Sequence, residues 1–581
     1  PGLGGIVLTL GMAVDANVLI YEGIREELNK GKEMLQAVRA GFERAMSAIL
    51  DSNITTFLVG MVLYNVGVGP VRGFAVTLMI GIITTVFTQF FVSRLLFHWA
   101  LKNNKLEGWQ PNTLFENRSV DFVGKIKVCA VLSIALIIAG VGYSSSVPTE
   151  KMLAIDFTGG ANLRMVCVDD QSADSIRKKL AADAEFTAAY PTTGVNTYGA
   201  IAGEDGNEFN VRLKLNSKQR NEIDAGRKKW RDDKKAAEAA GEDPPGLYEP
   251  PYLSQLERVF AGQLVEPAFS TAMLTEHPSR PETLQYAQID VHFSAPVDVA
   301  TLKEVISQSL SQGDVETLGA AGATSAKNFR LIWTTQKSTR KWQLPNIVSD
   351  ELAELKDTTG DPVVLSDPFP EAQEIQGRLV NDLRNAAIGA LILAWALIVF
   401  YLRIRFNEYK YGLAAVVALI HDVLITFGIV VLCNNLGLVN AEISLSMIAC
   451  FLTIIGYSVN DTIVVFDRIR ENRIENARNN ASESFRSLIN RSLNQTLSRT
   501  ILTTVLTLFV VIAQFVVNKG SGSELEGFAF AMMIGMLTGV YSSMYIAAPI
   551  LIWMDKGDPV EVPEGPHDPE REGDFDNEAE L

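Results

Sequence analysis

Cysteine is scarce, four residues in 581, and this excludes a disulfide scaffold. Cys129, Cys433 and Cys450 lie in apolar runs, where a thiol behaves as a small hydrophobe, and Cys167 has no partner nearby. Histidine is nearly as rare, with five residues. His292 falls in a strand pattern and His277 in a Pro-containing loop, neither with metal-ligand company, so structural roles are expected and no metal site is. There is no Gly-rich Lys-Ser/Thr phosphate loop and no Gly-x-Ser-x-Gly elbow, so an ATPase or hydrolase has nothing to stand on. Positive charge is in deficit. A formal net charge of −16 argues against a protein that binds nucleic-acid phosphates, which requires basic faces. Only 20% of residues are charged and 48% are hydrophobic, against about 25% charge in a soluble domain. The composition leans towards the membrane. The chain opens on Pro1 rather than Met, without the charged start or cleavage site of a signal peptide. The expectation is a fragment lacking its natural N-terminus.

Nine apolar stretches are long enough for a hydrocarbon core that takes about 20 helical residues to cross. They run from 3 to 21, 47 to 66, 73 to 99, 124 to 143, 386 to 402, 410 to 433, 443 to 466, 496 to 517 and 527 to 553. Two of them, over 130 to 141 and 386 to 401, are apolar all round, unlike the striped helices of a soluble protein. Basic residues collect after the first stretch (Arg25, Lys30, Lys32, Arg39, Arg44) and after the seventh (Arg468, Arg470, Arg473, Arg478, Arg486, Arg491). By the positive-inside rule these segments are cytoplasmic.

The chain also repeats itself. Gly11-Met-Ala-Val-Asp-Ala-Asn17 and the residues up to Glu26 align with the segment from Gly456 to Glu471 at an offset of 445, and residues 73 to 81 align with 527 to 535 at an offset of 454. Two related membrane halves are the construction of many secondary transporters, with sites between the halves. The expected layout is three spans of the first half in 1–105, a cytoplasmic linker in 106–123, and the first span of the second half in 124–143. An external α+β domain, ferredoxin-like in its mix of strands and helices, follows in 144–380, with a charged insert at 218–260 that reads as a solvated helix or a floppy segment. Five more spans occupy 381–555, and 556–581 form an acidic, disordered cytoplasmic tail. The second half has an external domain that the first lacks, which suggests about 300 further residues ahead of Pro1.

An ionisable group at mid-bilayer costs on the order of 3 kcal/mol, so each needs a partner, water or a purpose. Asp15 sits in the first span, Asp461 at nearly the same place in the seventh, Arg499 in the eighth, and His421-Asp422 in the sixth. Desolvation raises an Asp pKa and a nearby Arg lowers it, so a carboxylate that approaches and leaves an arginine can load and release a proton. Asp461 with Arg499 is the expected pair, the alternative being a static ion pair that holds the bundle. Asp422 can be a secondary site or simply bond His421. Asn17 and Asn460 can provide sodium oxygens or merely hydrogen-bond helices.

At these residues the chain resembles fused SecD–SecF proteins of the resistance-nodulation-division superfamily. Residues 1 to 105 resemble the last three spans of SecD, through Gly11-Met-Ala-Val-Asp-Ala-Asn17 and Asp51-Ser-Asn-Ile-Thr-Thr56. Residues 118 to 555 resemble SecF. They carry Asp156-Phe-Thr158-Gly159-Gly160 at the entry to the external domain, His421-Asp-Val423, Gly456-Tyr-Ser-Val-Asn-Asp-Thr462 and Ser498-Arg-Thr500. The resemblance implies an accessory subunit of the Sec translocase in the bacterial inner membrane, with its external domain in the periplasm and its C-terminus in the cytoplasm. It implies that a proton or sodium gradient helps draw unfolded preproteins outward after SecA has pushed them through SecYEG, with a YajC-type subunit as a further partner. Ion coupling maps onto Asp15, Asp461 and Arg499, with no cofactor beyond the ion. Two features depart from the family: the SecD external domain is absent and the insert is long. An ion-driven exporter of small molecules or lipids from the same superfamily is the alternative. A membrane scaffold is a third reading, but it gives the buried charges no purpose.

Overall fold

The computed structural model describes residues 2–555 apart from 68–69, 104, 106–119, 192, 199–204, 241–247, 281, 320–322, 354, 357–361, 376, 480–482 and 521–523. The expected acidic tail and most of the expected linker therefore lie outside the described residues. Two compact units emerge, one from residues 1–148 and 385–581 without 518–523, the other from 149–384 with 518–523.

Within the first unit, nine helices of the described residues are long and apolar enough to span a membrane. They are Gly4–Asn29, Met34–Asn65, Val71–Lys102, Val123–Ser146, Leu379–Phe406, Tyr409–Asn435, Leu445–Arg478, Phe485–Asn518 and Glu524–Met554, called here the first to ninth spans. The multi-pass helical architecture agrees with the apolar pattern. Several helices outrun their apolar windows on the side of the basic segments: the second begins at Met34 and the seventh runs on to Arg478. Ion pairs one turn apart, Lys30–Glu27 at 2.6 Å and Arg468–Glu471 at 2.8 Å, favour helix where apolar burial has stopped. Much of what reads as basic loop is thus helix. The fourth span buries little of itself and exposes Val128, Val131, Ile134 and Ile138, which suits a lipid-facing surface. The seventh is enclosed along most of its length, polar residues included.

The sequence repeat is a packing repeat. A Cβ on Gly81 would meet Thr9, and one on Gly535 would meet Ile454, each within 2.4 Å. Thr9 and Ile454 are themselves related by the offset of 445. Each related helix also carries a π-helical turn, Thr88–Ser93 in the third span and Ser543–Ala547 in the ninth. Such turns tend to mark functional regions of helices.

The second unit is α+β and holds two antiparallel sheets. Strands β1 (Gly160–Gln171), β2 (Thr193–Thr197), β3 (Gly206–Lys214) and β8 (Glu371–Ile375) form the order β2-β3-β1-β8. With helices between β1 and β2 and after β3, this is a split βαβ succession of the ferredoxin-like kind. Strands β4 (Phe269–Glu276), β5 (Leu284–Asp298), β6 (Asp314–Thr317) and β7 (Ser325–Gln336) form the second sheet, in the order β4-β5-β7-β6, inserted before β8. Alternation sets the cores. Leu163, Met165, Phe209 and Val211 face one set of helices, and Ile289, Val291, Phe329 and Leu331 face another.

Of the two readings of the charged segment 218–260, its described residues take the helical one. Ser217–Ala240 and Pro251–Val259 are helices, and Ile223, Tyr252, Leu256 and Phe260 join the first sheet's core. Charge predominates in the sequence there because only one face is buried. The Asp156-to-Gly160 motif also has a structural use. Gly159 takes φ +77° to end a short helix, and Gly160 starts β1 where a Cβ would lie 2.2 Å from the Leu213 carbonyl oxygen. Thr158 donates to the Ala154 carbonyl at 3.1 Å and its own carbonyl accepts from Arg220. Burial pushes the Cys167 thiol up to about 11, so it stays protonated. His292 Nε2 meets Ser270 Oγ at 2.9 Å and His277 lies against Tyr286, structural settings for both.

One ion pair in this unit makes a pH prediction. Arg330 grips the buried Asp290 through two hydrogen bonds of 2.7 and 2.9 Å and holds its carboxyl below the usual range. The stabilisation is therefore present in full above the unfolded value of about pH 4 and is lost as pH falls from there towards the depressed native value. In the full chain, hydrogen exchange along β5 and β7 should accelerate over that acid window. Asp290→Asn should already exchange faster at neutral pH, by about 2 kcal/mol of local stability, and respond less to acid.

Candidate functional site

The first and eighth spans come close because Gly11 faces Thr507: a Cβ there would lie 2.3 Å from the threonine methyl. One to two turns further along, Arg499 Nη2 reaches Asp15 Oδ1 at 3.4 Å, with both side chains largely buried. Asp461, 6% exposed, lies within electrostatic range of both. The expected partner is thus displaced: Arg499 bonds Asp15, not Asp461. The reason is the one-residue shift in the repeat, which turns the two acids about 100° apart on their helices. Asp461 Oδ2 and Arg499 Nη1 are both buried without a hydrogen-bond partner among the described residues. Two acids and one arginine share one buried space, and the arginine holds a donor in reserve.

The neighbouring polar residues hold helices together. Asn17 donates to the Ala13 carbonyl at 3.0 Å and accepts from Ser93 of the third span at 3.5 Å. The Asn460 amide nitrogen faces the carbonyls of Ser52 and Gly456, each at 3.2 Å. Asp51 accepts from Tyr401 at 2.7 Å and from Arg405. Asp422 forms a separate centre inside the second half. It is fully buried and meets His421 Nδ1 at 3.0 Å, while Ser458 of the seventh span and Ser542 of the ninth each donate to it at 2.7 Å. His421 stacks on Tyr541, whose hydroxyl bonds Ser133 of the fourth span.

A cavity of about 80 Å³ adjoins Arg499 and runs between the first, second, seventh and eighth spans. A ring of four charges stands in its wall. Arg44 bonds Glu26 and Glu471, the latter at 2.7 and 2.8 Å, and Arg468 bonds the same two acids at 3.1 and 2.8 Å. Glu26 and Glu471 are related by the repeat offset, and so are Glu22 and Asp467, which also line the cavity. Sequence reasoning weighed Arg44 and Arg468 only as loop charges. The signal that finds the ring is the continuation of the repeat through its acidic positions.

The family described as protein export membrane protein SecD/SecF, C-terminal, matches residues 2–103 and 363–557. The chain belongs to this SecD/SecF family. It is 26% identical over 577 residues to the protein translocase subunit SecDF of Bacillus subtilis, a match covering 95% of the chain and 57% of that protein. Over 107 residues it is 53% identical to the protein translocase subunit SecD of Calditerrivibrio nitroreducens, which is 18% of the chain and 21% of that subunit. The crystal structure of SecDF from Thermus thermophilus, a translocon-associated membrane protein, superposes with a TM-score of 0.60 at 26% identity, covering 95% of the chain and 55% of that structure. The chain spans little more than half the length of these SecDF relatives. Asp15 lies in the first of the two segments that the family model matches and Arg499 in the second, and their ion pair joins the two.

Proposed function

We propose that the chain serves an accessory subunit of the Sec preprotein translocase and uses a proton or sodium gradient to promote export of unfolded preproteins. The observation that carries this reading is the buried group of Asp15, Asp461 and Arg499 at the meeting of the two halves. A lone arginine between two buried acids can neutralise only one at a time, so the other favours a proton or a cation. Exchanging partners changes which helices are held together, and one charge moved across the membrane releases about 2.3 kcal/mol per 100 mV, enough to bias such an exchange. Motion of this kind can be passed to the external unit and to a polypeptide emerging from SecYEG after SecA has driven it in, with a YajC-type subunit alongside. In this reading the membrane is the bacterial inner membrane, the external unit is periplasmic and the basic segments are cytoplasmic, following their Lys and Arg content.

The test grafts the chain into Bacillus subtilis SecDF in place of the portion it matches. Precursor export is then followed in cells depleted of their own SecD and SecF. The chimera should restore export, and a protonophore or a sodium ionophore should remove the gain. Export restored to the same extent without either gradient would contradict ion coupling.

A further inference from the structure

We propose that Glu22 is the carboxylate through which the Asp15–Arg499 site exchanges protons with water, a proposal that rests on the ion-coupled reading above. Glu22 lies seven positions after Asp15. On a helix this is two turns, about 10.5 Å, and nearly the same face. Leu19 lies between them on that face, and Leu19, Glu22 and Arg499 line one cavity. Its 80 Å³ leaves room for several waters, since one needs about 10–15 Å³. The space is polar enough to hold them, because the buried Arg499 Nη1 has no partner among the described residues.

The other acids of the wall are engaged or exposed. Glu26 and Glu471 are held in the four-charge ring. Asp467 bonds Arg405 at 3.4 Å, and its side chain is 44% exposed. Glu22 is 16% exposed and, among the described residues, is held only by Arg25, at a loose 3.5 Å. The charged groups around it are Arg25 and Glu26 of its own helix, Arg44 of the second span, Asp467, Arg468 and Glu471 of the seventh, and Arg499 of the eighth. It is therefore the enclosed carboxylate most able to turn between the deep site and the cavity mouth.

The transfer is a proton relay. The carboxyl O–H of Asp15 gives its proton to a cavity water, which passes one of its own protons to a carboxylate oxygen of Glu22. Asp15 becomes the carboxylate that Arg499 pairs with, Glu22 becomes a neutral acid, and no electron pair changes its centre. Glu22 then releases the proton to water at the mouth.

The test reconstitutes the purified chain in liposomes with a trapped pH-sensitive dye and an imposed proton gradient. Glu22→Ala should carry protons about 100-fold more slowly than wild type, Glu22→Asp should retain most of the flux, and millimolar formate should accelerate the alanine variant without affecting wild type. Chemical rescue separates proton transfer from a structural role, which formate would not repair. Wild-type flux in Glu22→Ala overturns the proposal, and so does a slow variant that neither aspartate nor formate restores. Sodium flux without proton flux in wild type overturns the relay alone, whereas flux of neither ion overturns the functional reading with it.

Discussion

Replacing Arg499 by leucine is expected to destabilise the membrane unit by about 3–5 kcal/mol, the usual cost of removing one partner of a buried ion pair. Asp15 and Asp461 would then share a buried space with no countercharge, at positions where Arg499 now reaches Asp15 at 3.4 Å. The check is an equilibrium unfolding titration of the purified chain in mixed micelles. The double variant Arg499→Leu, Asp15→Asn should regain most of the lost stability, because one of the two stranded charges is gone, yet it should not regain ion flux. If the double variant is as unstable as the single one, the loss belongs to packing of the arginine stem rather than to its charge.

The second large effect belongs to Asp422, and it falls on stability rather than on transport. Its carboxylate ties together the sixth, seventh and ninth spans through His421, Ser458 and Ser542. Asp422→Leu leaves those buried polar groups without their acceptor and should cost about 3 kcal/mol or more. Asp422→Asn keeps the volume and one acceptor oxygen, and should cost less. At a temperature where both variants stay folded, Asp422→Asn should carry ions at close to the wild-type rate. A flux loss as deep as that of Asp15→Asn would make Asp422 part of the ion path instead of a strut.

The sequence exposed some of this through period and composition. Nine apolar runs appear as nine helices among the described residues, and the strand patterns near 209, 288 and 329 fall within β3, β5 and β7. Asp15, Asp461 and Arg499 were conspicuous because charge in an apolar run needs a reason. Which acid Arg499 holds was not legible, because a one-residue shift between repeats becomes a rotation whose outcome depends on helix packing. The four-charge ring was hidden by its position beyond the apolar windows, where Arg44 and Arg468 look like ordinary flanking charges. In the second unit, the segment 218–260 looks like solvated charge because Ile223 and Leu256 are isolated in it. Only the fold of β1, β3 and β8 gives those two residues a common core.

The most direct test is the export assay in the Bacillus subtilis chimera with Asp461→Asn, expressed to the level of the wild-type graft. Asparagine preserves the size of the side chain and removes its charge and its proton. Pulse-chase processing of a secreted precursor should fall to the level of cells without the chimera, while the abundance of the variant and its protease resistance stay unchanged. Processing at the wild-type rate by Asp461→Asn would contradict the account, because the buried acid would then be structural and the gradient would have no group in the seventh span to act on.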